Sequence, residues 1–219
     1  MNHKNIVNLL EVVTSKSNLL FKLIAKERST SVYTLYLIFE YMEHDLNGLI
    51  DKKVSLDVSQ IKCVMKQLLE ALVYLHSNNI MHRDIKGANV LMNNKGEVKL
   101  ADFGLARLPD TRSAPHYTNR VATLWYRAPE LLLGSNNYTT AIDMWSLGCL
   151  FFELLTLRPL FPGDREGKII DLICQTCGTP SEETWPGISS LRHFGRLDMK
   201  KPQQSRLRES LKLCSKYCA

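Results

Sequence analysis

The sequence predicts an α+β fold, mostly helical, with a small amount of sheet near its start. Ile61, Val64, Met65, Leu68, Leu72 and Leu75 recur at i, i+3, i+4, i+7, i+11 and i+14, one apolar stripe along one long helix. Residues 142–155 are apolar almost all round, the pattern of a helix buried in a core. Residues 6–13 and 35–40 are short β-rich apolar runs, separated by about twenty residues, and read as two strands.

Each element has its own local signals. Asp57 can cap the long helix, and Gln60 three residues on completes a capping box. Beyond it, Val90-Leu91-Met92 and Val98-Lys99-Leu100 flank Asn93-Asn94-Lys95-Gly96, a hairpin whose turn residues tolerate left-handed backbone. Residues 102–130 show little periodicity, and so long an irregular stretch inside a compact domain points to a functional loop. Thr139-Thr140 opens the apolar helix, and a turn-rich stop runs from Arg158-Pro159 to Gly163. A short apolar helix over 169–177 ends at Gly178-Thr179-Pro180. The chain has no internal repeats.

Composition narrows the function. The 219 residues are 45% hydrophobic and 23% charged, ordinary for a globular protein. No signal peptide opens the chain, and the most apolar run, 144–155, is too short to span a bilayer. The net charge of +6 is concentrated in residues 192–216, which hold eight Lys/Arg against two Asp/Glu. That tail reads as a solvated face in preference to a docking surface for acidic partners. No membrane anchoring and no direct nucleic-acid binding are expected. Cys174-x-x-Cys177 is half of a zinc pattern with no matching second pair, so the six cysteines are expected to be buried, inert thiols. Asn137-Tyr138-Thr139 is a glycosylation sequon without a secretory signal to give it meaning.

The chemistry lies between His82 and Glu130. The chain reads His82-Arg83-Asp84-Ile85-Lys86-Gly87-Ala88-Asn89, then Ala101-Asp102-Phe103-Gly104, then Ala128-Pro129-Glu130. One such short motif arises by chance, but three in this order and spacing very rarely do. They resemble the catalytic loop, metal-binding turn and end of the activation segment of the protein kinases. The run Tyr117-Thr118-Asn119-Arg120-Val121-Ala122-Thr123-Leu124-Trp125-Tyr126-Arg127 is similar to the activation segment of the cyclin-dependent kinases. Within them it resembles the branch that phosphorylates the RNA polymerase II tail, as do Glu43-His44-Asp45-Leu46-Asn47-Gly48-Leu49 and Trp185-Pro186-Gly187.

The resemblance implies a protein kinase-like fold: an N-lobe remnant of two strands and hinge over 1–42, then a mostly helical C-lobe over 43–219 without its last helices. It covers nearly the whole chain, weakening after Glu209, and begins beyond the helix that a cyclin would grip. It implies proline-directed transfer of the ATP γ-phosphate to protein Ser/Thr, with Mg²⁺, a cyclin partner and a nuclear, possibly also cytoplasmic, location. Asp84 would be the base, Lys86 a phosphate-stabilising charge and Thr123 its partner in the pairing typical of serine/threonine kinases. Asn89 and Asp102 would hold the metal, and Asp143 would cap the apolar helix while bracing the catalytic-loop backbone. Phe39 falls at the gatekeeper, Glu40 and Met42 in the hinge beside adenine, Asp45 near the ribose and Leu91 beneath the base. Thr118 sits at the activating phosphosite, within reach of Arg83 and Arg107. Val121, Ala122 and Arg127 would shape the pocket for the proline after the target residue. Glu130 resembles a carboxylate that pairs with an Arg from a late helix. No residue matches that Arg, so Glu130 is expected to be solvated, protonated or paired elsewhere. The alternative is a catalytically inactive kinase fragment acting at most as a binding module: the only glycine ahead of the catalytic loop is Gly48, so the Gly-rich phosphate loop and its strand Lys have no counterpart.

Overall fold

A computed structural model describes residues 1–16, 33–108, 117–119, 121–197 and 202–212. Arg120, Lys200, Lys201, Cys214, Lys216 and Cys218 of the readings above lie outside the described residues.

The chain opens with a two-stranded antiparallel ribbon, β1 (Leu9–Lys16) on β2 (Tyr33–Phe39), in register from Leu9↔Phe39 to Lys16↔Tyr33. The first strand starts later than the apolar run predicts. Ile6 and Val7 leave it to pair with the hairpin instead: Ile6 bridges Leu100, and the Val7 N–H donates to the Leu100 carbonyl at 2.9 Å. Both are buried, whereas the ribbon itself is open on both faces, with Leu10 61% and Leu35 59% exposed. Apolar side chains on both faces of a strand ordinarily signal burial between layers. Here the described residues supply no layer on either side.

After the hinge, a two-residue strand β3 (His44–Asp45) joins the predicted hairpin of β4 (Val90–Met92) and β5 (Val98–Leu100) in the order β3-β4-β5. The hairpin turn is held by Asn93, whose Oδ1 accepts from the Lys95 and Glu97 N–H groups at 3.0 Å, with Gly96 at φ 78°. Helix α1 (Leu46–Asp51) follows β3, capped by Asp45, whose Oδ1 accepts from the Gly48 N–H. Helix α2 (Val58–Ser77) forms as the stripe predicts, with both halves of the Asp57–Gln60 capping box made. Ile61, Val64, Leu68, Leu72 and Leu75 are buried along it, joined by Ala71, and Met65 packs at the edge.

Short α3 (Pro129–Leu132) leads to α4 (Ala141–Thr156), then α5 (Glu166–Cys177) and α6 (Leu207–Lys212). The core forms where α2, α4, α5 and the hairpin meet. Helix α4 departs from its predicted all-round burial along one strip, where Met144 and Phe151 remain 45% and 39% exposed. Asp143 makes the brace that the resemblance implies but not the cap. The residue at the helix start is Thr140, with no side-chain cap, and Asp143 in the first turn spends its carboxylate on the catalytic loop. Cys149 and Cys174 are buried and Cys177 half-buried, their thiols pushed up by burial, but Cys63 is exposed, contrary to the inert reading. Among the described residues no helix is long and apolar enough to cross a membrane.

Candidate active site

Helix α2 delivers the chain into the catalytic loop, and α4 holds that loop in place. Asp143 Oδ2 accepts from the His82 N–H at 3.0 Å and Oδ1 from the Arg83 N–H at 2.8 Å, with His76 Nε2 2.9 Å from Oδ2. His82 is fully buried, its Nε2 3.0 Å from the Ala101 carbonyl and its Nδ1 accepting from the Asp84 N–H. Those two contacts set the tautomer as Nε2–H. Burial depresses the imidazole pKa despite the carboxylates nearby, so His82 is neutral.

These ties point Asp84 toward the activation segment. Its Oδ2 accepts from Lys86 Nζ at 2.7 Å and from Asn89 Nδ2 at 3.1 Å. Its Oδ1 accepts from Thr123 Oγ1 at 3.0 Å and from the Thr123 N–H at 3.1 Å. Lys86 Nζ closes the cluster onto Thr123 Oγ1 at 3.0 Å. Burial pushes the Asp84 carboxyl up, but the Lys86 and Thr123 contacts outweigh it and hold it below the usual carboxylate range. The structure thus brings all three predicted catalytic residues into one hydrogen-bonded group.

Asn89 turns both its amide donors to Asp84, reaching the carbonyl at 2.8 Å as well as the carboxylate, which leaves its Oδ1 as a free-standing acceptor. The hairpin register places it beside Asp102, because Val90 faces Leu100 and the Ala101 N–H donates to the Asn89 carbonyl. Asp102 is exposed, at φ 60°, with its Oδ1 3.2 Å from the Gly104 N–H. One carboxylate and one amide oxygen suit a hard divalent ion that keeps waters or phosphate oxygens as its other ligands. Among the described residues no cluster of three His, Cys, Asp or Glu offers a metal site of another type.

Of the residues expected around a nucleotide, Asp45 and Leu91 are brought together. Asp45 pairs with Leu91, and Leu91 with Lys99, across the three-stranded sheet. Phe39 ends β2, Glu40 follows it, and Met42 stands between β2 and β3. Asp45 is partly committed, since its Oδ1 caps α1.

The predicted activation segment is tied at Thr118 and at its far end. Thr118 is exposed, and its carbonyl accepts from the Tyr138 hydroxyl at 2.7 Å. Tyr138 in turn accepts from Arg83 Nη1 at 3.0 Å, while Arg83 Nε donates to the Leu105 carbonyl at 2.7 Å. Arg83 is therefore buried behind Tyr138, and exposed Arg107 donates to the Ala106 carbonyl. Arg127 gathers Val121 and Ala122: Nε donates to the Val121 carbonyl at 3.0 Å and Nη2 to the Ala122 carbonyl at 3.1 Å. Its third contact is Glu166, at 3.0 Å, which also pairs with Arg196 at 2.6 Å. Arg83, Asp102 and Ala122 share a left-handed backbone, φ 71°, 60° and 61°, at a cost of about 1–3 kcal/mol each. Three such residues in one site are the signature of a constrained functional centre.

Sequence reasoning missed Tyr138, Lys99 and Glu166. Tyr138 was visible only as the middle of a sequon, and the two charges as ordinary surface residues. Glu130 is half-buried, with no ion pair among the described residues, and burial raises its carboxyl pKa. Of the outcomes expected for it, the protonation direction is the one the structure favours.

Over residues 1–218 the chain matches the family described as protein kinase domain. It is 46% identical over 210 residues to cyclin-dependent kinase C-2 of Arabidopsis thaliana, across 95% of this chain and 41% of that one. It is 49% identical over 212 residues to cyclin-dependent kinase 12 of Drosophila melanogaster, across 95% of this chain and 18% of that one. Among solved structures it is similar to a chain in the crystal structure of the yeast RNA Pol II CTD kinase CTDK-1 complex. The TM-score is 0.84 at 38% identity, covering 98% of this chain and 66% of that one. The chain spans about two fifths of the length of the first of these relatives.

Proposed function

The chain belongs to the protein kinase family, and on that premise we propose a cyclin-dependent serine/threonine kinase acting on Ser/Thr-Pro sites of a transcription-linked substrate. The observation that carries this reading is the Asp84 carboxylate gripped by Lys86, Thr123 and Asn89. Asp84 orients the substrate hydroxyl and takes its proton, as that oxygen attacks the γ-phosphorus and the bond to the ADP oxygen breaks. Its depressed pKa makes it a weak base, so its work is chiefly orientation, with the proton moving late. Lys86, beside the same carboxylate, faces the charge that develops on the transferring group.

Asn89 Oδ1 and the Asp102 carboxylate are the groups that would hold Mg²⁺, which when bound neutralises the phosphate charge. Phe39, Glu40, Met42, Asp45 and Leu91 frame the ATP base and sugar. Thr118 is the regulatory phosphosite, and Arg83 and Arg107 are the cations nearest to receive its phosphate. A cyclin partner accords with the names of the cyclin-dependent relatives, and a nuclear location with the transcription-linked substrate of this reading.

The preference for proline has a physical basis in Arg127. It engages the carbonyls of both Val121 and Ala122. A residue following the target hydroxyl would bring an N–H that finds these acceptors taken. Proline brings none. Radiolabel transfer from ATP to a Ser-Pro peptide, compared with Ser-Ala, tests the reading. Asp84→Asn is expected to lower transfer by about 10²–10³-fold. Transfer no higher in the parent than in Asp84→Asn favours the inactive binding module.

A further inference from the structure

The Glu40 carboxylate is a junction of three chain segments. Its Oε1 accepts from the Asn8 backbone N–H at 2.7 Å and from Lys99 Nζ at 2.7 Å, and its Oε2 accepts from the same ammonium at 2.8 Å. The Glu40 N–H donates back to the Asn8 carbonyl at 3.0 Å. Asn8 immediately precedes β1, Glu40 immediately follows β2, and Lys99 lies in β5, opposite Leu91. The ribbon therefore leaves and rejoins the body through one polar node; the Val7 N–H on the Leu100 carbonyl holds its Asn8 side to β5, and the Lys99 ammonium holds its Glu40 side.

Both faces of the ribbon are exposed, and on its β1 side buried Ile6 and Val7 hold the adjoining chain to β5. On the β2 side, the side-chain tie of the hinge to the hairpin among the described residues is the Lys99–Glu40 pair. The Lys99 and Glu40 side chains are only 17% and 26% exposed, which screens the pair less than a surface ion pair. Drawing Glu40 and the hinge away from β5 breaks this pair.

We propose that Lys99 is a positioning residue for nucleotide binding: by clasping Glu40 it fixes the hinge backbone over residues 40–42 in the orientation that meets the adenine edge. This rests on the kinase reading above. The reason is preorganisation, since a hinge already held in place loses less freedom when the base binds. Lys99 itself sits on the hairpin beside the Leu91 floor, so one short strand pair supplies both the surface beneath the base and the tie on the hinge.

The test compares the full chain with Lys99→Met, Lys99→Arg and Glu40→Gln. Hydrogen exchange is read over residues 36–42, and affinity with fluorescently labelled ADP. Met keeps the aliphatic stem and folding contacts but not the charge, while Arg restores a two-pronged donor. Lys99→Met and Glu40→Gln are expected to speed hinge exchange and weaken labelled-ADP binding by about three- to tenfold, an effect of preorganisation alone. Combining them should add little, because each breaks the same contact. Lys99→Arg should recover most of the affinity. In turnover of Lys99→Met, KM for ATP should rise while kcat stays within about twofold, the split expected of lost ground-state binding. Hinge exchange that is unchanged in Lys99→Met overturns the clasp, whether or not nucleotide binds. Faster exchange with unchanged affinity overturns the positioning role and leaves a structural tether. Failure of the parent chain to bind labelled ADP overturns the kinase reading and the positioning role with it, while the exchange data still report on the clasp.

Discussion

Two carboxylates of the site, Asp84 and Glu130, differ in whether they found a cationic partner. Asp84, with cationic and hydroxyl donors, has its pKa depressed, whereas Glu130, with neither among the described residues, has it raised. A carboxyl whose folded pKa is raised adds stability below its unfolded value near 4.5, and that stability is lost as pH rises through the folded value. Glutamine mimics the protonated form. Glu130→Gln should therefore be at least as stable as the parent at neutral pH, by less than about 1 kcal/mol, with the difference shrinking in acid. Denaturant melts at two pH values check this, and a loss above about 3 kcal/mol would mean a buried, well-paired carboxylate. His82 works the other way. Its folded pKa is lowered from 6.5, so its contribution is present above that value and is lost as pH falls from 6.5 toward the folded pKa. Its ring resonances should keep a neutral shift as pH falls to 6.5, and a midpoint at or above 6.5 would contradict its burial.

At the scale of elements, local chemistry and tertiary support separate cleanly. Helix α2 has both, a complete capping box and a buried stripe. Removing the box by Asp57→Ala should cost about 1 kcal/mol in a denaturant melt. The ribbon of β1 and β2 has register without a core beneath it, and isolated two-stranded hairpins are marginal in water. Its amides should exchange faster than those of α2 and α4, as read by mass spectrometry. Slower exchange in the ribbon than in α2 would show that a further layer covers it.

The whole molecule is organised by one side chain on its central helix. Asp143, 1% exposed, joins α4 to the end of α2 and to the backbone of the catalytic loop. Asp143→Ala leaves two loop N–H groups without an acceptor and should cost about 3 kcal/mol or more, since each buried orphan costs about 1–3 kcal/mol. Phosphoryl transfer should fall as steeply as in Asp84→Asn, because the loop that aims Asp84 is released. Near-parent transfer in a folded Asp143→Ala protein would show that the loop is held elsewhere.

Periodicity alone set α2 and the burial of most of α4, and the turn residues set the hairpin, because these signals are local and repeat along the chain. The three motifs marked Asp84, Asn89, Asp102 and Thr123 because their chemistry ties residue type to spacing. Other features were decided only by the folded chain. Asp143 braces the loop as the resemblance implies, but its expected cap is missing because both carboxylate oxygens are taken by the His82 and Arg83 N–H groups. Ile6 and Val7 left the strand because the edge of β5 lay within reach. Tyr138, Glu166 and Lys99 acquired roles through partners 20, 39 and 59 residues away, at Thr118, Arg127 and Glu40. A charged or hydroxyl-bearing side chain carries no mark of its partner in sequence; burial and geometry choose that partner when distant segments meet.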